Sequence, residues 1–154
     1  MPVHRYEKWW LTFGIGTLAV FLAVLGLRAF ASGHTPPGSV LTVDPELIDT
    51  IAPWNAPGVY DRGDRVDVYL VGQAFSYAPN RIEVPVGKPV TFHAVTKDVV
   101  HSFTIVGTTV NMMLIPGYAN EATYTFKAPG RYLVLCNEYC GVGHQFMQAE
   151  VIAQ

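Results

Sequence analysis

A run of apolar residues near the N-terminus limits the folds open to this chain more than any other feature. Residues 11–27 contain no charged side chain, and continuing through Arg28 to residue 31 brings the run close to bilayer length. A membrane-spanning helix needs about 20 mostly apolar residues. Trp9 and Trp10 stand at its start, where tryptophan rings favour the lipid–water interface. The pattern predicts a membrane anchor over residues 1–32, with its helix at residues 9–30.

A cleaved signal peptide is the alternative explanation, because such peptides also combine positive charge with an apolar stretch. The run is long for a signal peptide, the tryptophans suit an anchor, and Ala29-Phe30-Ala31 is only a weak cleavage site. We therefore favour an anchor that is retained in the membrane lipid.

The distribution of charge predicts the orientation of this anchor. Arg5 and Lys8 precede the helix, and positive residues tend to stay on the cytoplasmic side. We expect a single-pass protein of the cell (inner) membrane, with the N-terminus cytoplasmic and the rest extracytoplasmic. Residues 40–154 carry 7 basic and 11 acidic side chains, a net charge of −4, which argues against nucleic acid as a partner.

Residues 33–65 have the composition of a linker followed by a short helix. Residues 32–39 are rich in proline and glycine, which end a helix. Asp44-Pro45-Glu46 places an acidic cap before a proline at the first helical position. We expect this helix to end near Ala52-Pro53.

Residues 66–154 alternate between apolar and polar side chains with the period of a half-buried strand. Val66, Val68 and Leu70, for example, alternate with Asp67 and Tyr69. Turn sequences separate the alternating runs: Ala78-Pro79-Asn80, Val86-Gly87-Lys88, Ile115-Pro116-Gly117 and Ala128-Pro129-Gly130. Short strands separated by such turns predict an all-β sandwich or barrel behind one N-terminal transmembrane helix.

A candidate metal site lies between two of the predicted strands. Cys140, His144 and Met147 follow one another at short spacing, and His101 opens a strand after a loop. Two imidazoles, one thiolate and a weak thioether are the ligands of a blue copper site.

Cys136 changes this interpretation, because the chain's only two cysteines are four residues apart. A helical turn between them would point both sulfurs to one side, where they could bridge a pair of coppers. An electron shared over two metals and two sulfurs changes each bond little, which suits fast electron transfer. A disulfide and a zinc site are the alternatives. The neighbouring His144 and Met147 argue against a disulfide, and zinc would leave Met147 without a role.

These residues resemble a known family. The run Cys-Asn-Glu-Tyr-Cys-Gly-Val-Gly-His-Gln-Phe-Met, residues 136–147, is similar to the copper-A loop of subunit II of haem-copper cytochrome c oxidases. Residues 98–103, 75–80 and 115–117 also match. The single anchor resembles the ba-type (B-type) branch. The resemblance implies a cupredoxin-like sandwich and a binuclear copper-A centre. It also implies that electrons pass from cytochrome c to haem in subunit I, where oxygen is reduced, with further small subunits as additional partners.

The resemblance also implies roles for single residues. Cys136 and Cys140 would bridge two copper ions. His101 and Met147 would complete one metal, and His144 and the backbone carbonyl of Glu138 the other. The Glu138 carboxylate would be placed to hold magnesium at the contact with subunit I. Phe75 would be an exposed aromatic that docks the electron donor, unless it packs in the core. Independently of the resemblance, Asp98 near His101 is either an acidic docking residue for a basic cytochrome or a solvated loop carboxylate.

Other functions share these residues. A copper subunit of a nitric-oxide reductase and a membrane-tethered copper electron carrier would have the same site, since fold and site do not name the acceptor. A copper-delivery protein is a third possibility. We interpret His93 as a residue of an exposed strand face, and Tyr139 and Phe146 as packing that keeps water from the metals.

Overall fold

The computed structural model describes residues 4–31 and 41–154. The chain divides into two compact units, Met1–Pro36 and Pro37–Gln154. The first contains helix α1, Arg5–Ala31, which has no buried residue. Its 27 residues span about 40 Å. Within the described residues it is the one helix long and apolar enough to cross a membrane.

Helix α1 contains the predicted helix at residues 9–30 and begins one turn earlier. Thr12 and Thr17 donate their hydroxyls to the carbonyls of Lys8 and Phe13, so these polar groups are satisfied within the helix. That arrangement suits a helix in lipid, where an unpaired polar group is costly. The predicted linker at residues 32–39 lies outside the described residues.

The second unit is a sandwich of two β-sheets. Its strands are β1 Gly58–Asp61, β2 Val66–Gln73, β3 Ser76–Ala78, β4 Arg81–Val84, β5 Pro89–Thr96, β6 His101–Ile105, β7 Asn111–Leu114, β8 Asn120–Thr125, β9 Gly130–Leu135 and β10 Gln148–Ala153. One sheet has the order β1-β2-β5-β8, with β3 also paired to β2, and the other β4-β10-β9-β6-β7. The pairs β2–β5 and β4–β10 are parallel, and the other pairs are antiparallel.

The main core fills the space between the sheets. Leu70 and Phe92 from one sheet meet Ile82 and Phe103 from the other, all fully buried. Leu70, Ile82 and Phe92 belong to the alternating runs of the sequence, which place them on the inner face, and the prediction of a β-sandwich with one N-terminal helix is confirmed. Aromatic side chains contribute most to the buried apolar area of such a core.

A smaller core covers the outer face of the first sheet, where the sequence predicts solvent. Val43, Ile48 and Trp54 pack against Val71 and Val95. Strand β2 is consequently buried on both faces over most of its length. The expected half-buried strand is therefore wrong for β2, because the segment before β1 covers its second face.

This covering segment belongs to the region expected to be a linker. The predicted start of its helix is confirmed, since Asp44 accepts a hydrogen bond from the N–H of Glu46, 3.0 Å away. The helix is one 3-10 turn, Pro45–Leu47. Strand β1, which the sequence analysis did not predict, follows it and pairs antiparallel with β2. Residues 41–65 are therefore part of the sandwich.

Candidate metal centre

The candidate centre forms where the loop after β9 meets the start of β6. The two strands are neighbours, with Thr104 opposite Leu135, so the residue after β9 and the first residue of β6 reach the same end of the sheet. The N–H of Asn137 donates to Oγ of Ser102 over 2.5 Å, which fastens the loop to β6. At its far end the loop turns through a 3-10 helix, His144–Phe146, into β10.

His101 and Cys136 occupy the strand ends. His101 is fully buried and Cys136 is buried. Nδ1 of His101 lies 3.9 Å from Sγ of Cys136, and that sulfur lies 3.2 Å from the carbonyl oxygen of Glu138. One donor atom from each of His101, Cys136 and Cys140 lies within 4.8 Å of the other two.

Cys140 brings the remaining donors to the same place. Its sulfur lies 3.6 Å from Nδ1 of His144 and 3.6 Å from Sδ of Met147. Met147 is buried, whereas His144 is half-buried. All six residues predicted as ligands thus converge, although their role as ligands stays a prediction. The loop between the cysteines forms a bend at Glu138 rather than the helical turn that would also point both sulfurs to one side.

Both cysteines are free thiols and buried. Burial, followed by the neighbouring Cys136, raises the pKa of the Cys140 thiol, while the backbone N–H of Phe75 donates to its sulfur and opposes that rise. Metal binding therefore has to release protons here. The donor set of two thiols, two imidazoles, a thioether and a carbonyl fits copper, and Met147 beside Cys140 is a donor that zinc sites do not use.

Asp98 lies on the loop before β6, and its partly exposed carboxylate contacts His101. It accepts hydrogen bonds from Nε2 of His101 (2.8 Å) and from the N–H groups of Val99 (2.7 Å) and Ala74 (2.5 Å). Burial raises the pKa of the Asp98 carboxyl, but these hydrogen bonds outweigh burial and hold that pKa below its usual range. The bond at Nε2 leaves Nδ1 of His101 facing Cys136. Sequence analysis missed this orienting contact, although the spacing of three residues was visible.

Tyr77 is a second neighbour of the site that sequence reasoning missed. Its buried hydroxyl donates to the carbonyl of Ser102 and lies within hydrogen-bonding reach of the Cys136 thiol. Burial, and then the neighbouring Cys136, raises the pKa of Tyr77, so the phenol stays protonated. In the sequence, only the resemblance of residues 75–80 to the family indicated that Tyr77 could lie near the site.

The surface over the loop is apolar and open. Tyr139, Val142 and Phe146 are 78%, 85% and 74% exposed. The expectation that Tyr139 and Phe146 pack over the metals is therefore wrong. Phe75 is less exposed than these three residues, at 37%. Its φ of +66° is the one positive value among non-glycine residues of the described ranges and costs about 1–3 kcal/mol.

His93, which we expected on an exposed strand face, is half-buried and outside the candidate centre. Its ring stacks on Tyr69, with centroids 4.7 Å apart. Its nitrogens face Asp67 at 3.8 Å and Glu121 at 3.5 Å. The histidine thus joins neighbouring strands of the first sheet.

Comparisons with known proteins agree with this geometry. The family model for cytochrome C oxidase subunit II, periplasmic domain, matches residues 68–153. Cytochrome c oxidase subunit 2 of Thermus thermophilus is 38% identical over 99% of this chain and 94% of its own length. A cryo-EM structure of a haem-copper terminal oxidase dimer contains a chain with a TM-score of 0.79 and 30% identity, covering 97% of this chain and 100% of that one.

The periplasmic domain of subunit II of the Bradyrhizobium japonicum cytochrome oxidase has a TM-score of 0.54 at 22% identity, covering 57% of this chain and 83% of that one, and supports the fold alone. The family match, by contrast, extends over more than half of the chain, and the Thermus relative aligns over nearly all of it. The sandwich with its sulfur-rich loop and apolar helix accordingly belongs to the cytochrome c oxidase subunit II family, membrane-anchored subunits of an oxidoreductase complex that pair with the other oxidase subunits.

Proposed function

We propose that this chain accepts electrons from cytochrome c at a binuclear copper-A centre and passes them to haem in subunit I, where oxygen is reduced. The observation that carries the proposal is the convergence of six donor groups at one end of the sandwich. The sulfurs of Cys136 and Cys140 would be shared by two copper ions, of which His101 and Met147 would hold one and His144 and the Glu138 carbonyl the other. Bound copper supplies one-electron redox chemistry.

The protein's part is to hold these donors still. Asp98 fixes the imidazole of His101, and Ser102 fixes the backbone beside Cys136. Burial of Met147 and both cysteines keeps water from the donor atoms. Rigid donors keep the geometry nearly the same in both redox states, so little reorganisation accompanies each electron.

Cytochrome c docks on the open apolar surface over the loop. Phe75, Tyr139, Val142 and Phe146 form this docking surface, and exposed aromatic side chains are typical anchors of protein interfaces. Asp98, whose side chain is 33% exposed, contributes negative charge to docking, and its carboxylate also accepts a hydrogen bond from His101. The Glu138 carboxylate, half-buried on the loop, holds magnesium at the contact with subunit I.

Helix α1 crosses the membrane in lipid contact, with its N-terminus in the cytoplasm, so the copper domain is extracytoplasmic. Labelling of single cysteines introduced at Tyr6 and Thr50, in a background that retains Cys136 and Cys140 loaded with copper, tests this orientation. A membrane-impermeant reagent applied to intact cells should modify only the second. Modification of the cysteine at position 6 alone would show that the opposite orientation is correct.

Metal analysis with electron-resonance spectroscopy of the purified chain tests the central proposal. A fully loaded chain should hold two coppers, and the hyperfine coupling of its mixed-valence form should involve both nuclei equally. One copper with blue-site coupling would refute the binuclear centre. Consumption of oxygen rather than nitric oxide by the complete complex would identify the terminal acceptor.

A further inference from the structure

The hairpin turn between β2 and β3 contacts both parts of the candidate centre. The N–H of Ala74 donates to Asp98, the carboxylate that holds His101. The next N–H along the chain, that of Phe75, donates to the sulfur of Cys140. Two successive residues of one turn therefore reach a histidine on β6 and a cysteine on the loop after β9.

The ring of Phe75 lies against the glycines of that loop. A Cβ atom built on Gly143 would lie 2.5 Å from Cγ of the ring, and one on Gly141 would lie 3.2 Å from Cε1. Real Cβ atoms essentially never approach so closely as at Gly143. The ring therefore occupies the space that a side chain at residue 143 would need.

The backbone of Gly143 does not itself require glycine. Its φ is −99° and its ψ is 7°, values that other residues adopt, whereas Gly141 has a φ of +125°. The three atoms nearest to a Cβ at residue 143 all belong to the ring of Phe75, at 2.5, 2.7 and 2.8 Å. The two residues are 68 positions apart in the chain and occupy complementary volumes.

We propose that Phe75 is a positioning residue whose ring, seated on Gly143, sets the height of Cys140 and His144 relative to Cys136 and His101. This inference rests on the proposed copper-A function and deepens it. His101 belongs to β6 and is held by Asp98, and the residue after Cys136 is hydrogen-bonded to Ser102 of β6. A displaced ring therefore moves mainly the Cys140 side of the centre. The two coppers then become unequal, and the shared electron shifts towards one of them.

A double-mutant cycle tests the contact, using Gly143→Ala, Phe75→Ala and the combined variant in the full chain in detergent. Gly143→Ala alone should make the hyperfine coupling of the two coppers unequal. It should also speed release of copper to a chelator by about tenfold, the equivalent of 1.4 kcal/mol. Phe75→Ala removes the obstacle, so adding Gly143→Ala to it should cause no further change. Gly58→Ala is the matched control, since a Cβ there meets only Tyr60 at 3.9 Å.

The pattern of rescue decides the outcome. If Gly143→Ala perturbs the copper signal equally with and without the Phe75 ring, the positioning role is refuted. If Gly143→Ala alone fails to fold, folding and loading of the combined variant supports the role, and its failure to fold refutes it. A wild-type chain that does not bind two coppers would instead refute the proposed function. In that case the metal-free wild type, the two single variants and the combined variant still test the Phe75–Gly143 contact. The effects of the two substitutions on the thermal midpoint should be non-additive.

Discussion

His101 and Cys136 lie at the ends of two neighbouring strands, whereas Cys140, His144 and Met147 lie along the loop that follows. We call these the strand-held half and the loop-held half of the centre. The strand-held half is buried and is fastened by Asp98 and Ser102. The loop-held half reaches the surface through His144 and depends on contacts with the turn at Phe75.

The difference indicates how one site can be both rigid and open. Sheet hydrogen bonds place the strand-held half before any metal arrives, since backbone pairing fixes the strand ends. The loop-held half lies outside the strands, and its backbone hydrogen bonds are those of turns, apart from the bond that the N–H of Cys136 donates to the carbonyl of Met147. Side chains packed against the loop complete its position. The exposed apolar residues that we propose as the docking surface lie on that side of the centre.

Replacing one bridging sulfur should have the largest effect. Cys136→Ser removes a thiolate from the strand-held half and leaves Cys140, His144 and Met147, the donors of a mononuclear site. We expect the shared-electron signal to disappear and one copper with ordinary coupling to remain, by electron resonance. Cys140→Ser is the matched change in the other half. It removes the sulfur that lies 3.6 Å from both His144 and Met147, so we expect it to leave less bound copper than Cys136→Ser does. Equal residual copper in both variants would contradict the distinction between the halves.

Loss of the carboxylate behind His101 should have the next largest effect. Asp98→Asn removes the charge that orients the imidazole, and outer-sphere partners of metal ligands are typically worth about 10- to 100-fold in affinity. Copper affinity, measured by competition with a chelator, should fall within that range while the fold remains intact. Asp64→Asn, on an exposed turn, is the control. An unchanged affinity would mean that β6 alone positions His101.

The same contrast between strands and loop separates what the sequence predicts from what it does not. The ligand spacing of Cys140, His144 and Met147 is local, so it is visible in the sequence, as is the alternation that places Phe92 in the core. The contacts of Phe75 with Gly143 and of Ala74 with Asp98 join distant residues, and no local pattern predicts them. Asp67 was assigned to an exposed face because alternation cannot anticipate that Arg62, Arg65 and His93 gather around its carboxylate.

Asp67 provides a test of stability in a region away from the metal. Burial raises its pKa, but Arg62 and Arg65 outweigh burial and hold the pKa of this carboxyl below its usual range. Because the folded pKa is the lower one, the stabilisation is complete above the unfolded value of about 3.9 and is lost as the pH falls through the folded value. Asp67→Asn should cost about 1–3 kcal/mol at neutral pH and weaken the acid dependence of unfolding. The copper spectrum should not change, and a changed spectrum would show that the outer face of the sheet is coupled to the centre.

The smallest expected effect concerns the docking surface over the loop-held half. Val142 and Phe146 are more exposed than Phe75, and neither is a predicted ligand, so their side chains are available to a partner. Val142→Ser and Phe146→Ser should each slow reduction by cytochrome c by about three- to tenfold, the size of a moderate interface contact. The copper spectrum and the melting temperature should stay unchanged, because neither side chain is buried. Leu133→Ser, an exposed apolar change on β9, is the matched control and should leave reduction unaffected. If all three variants slow reduction equally, docking is not confined to the loop. If none of the variants slows reduction, the electron donor binds elsewhere on the protein. The exposed residues of the loop-held half would then have no part in docking.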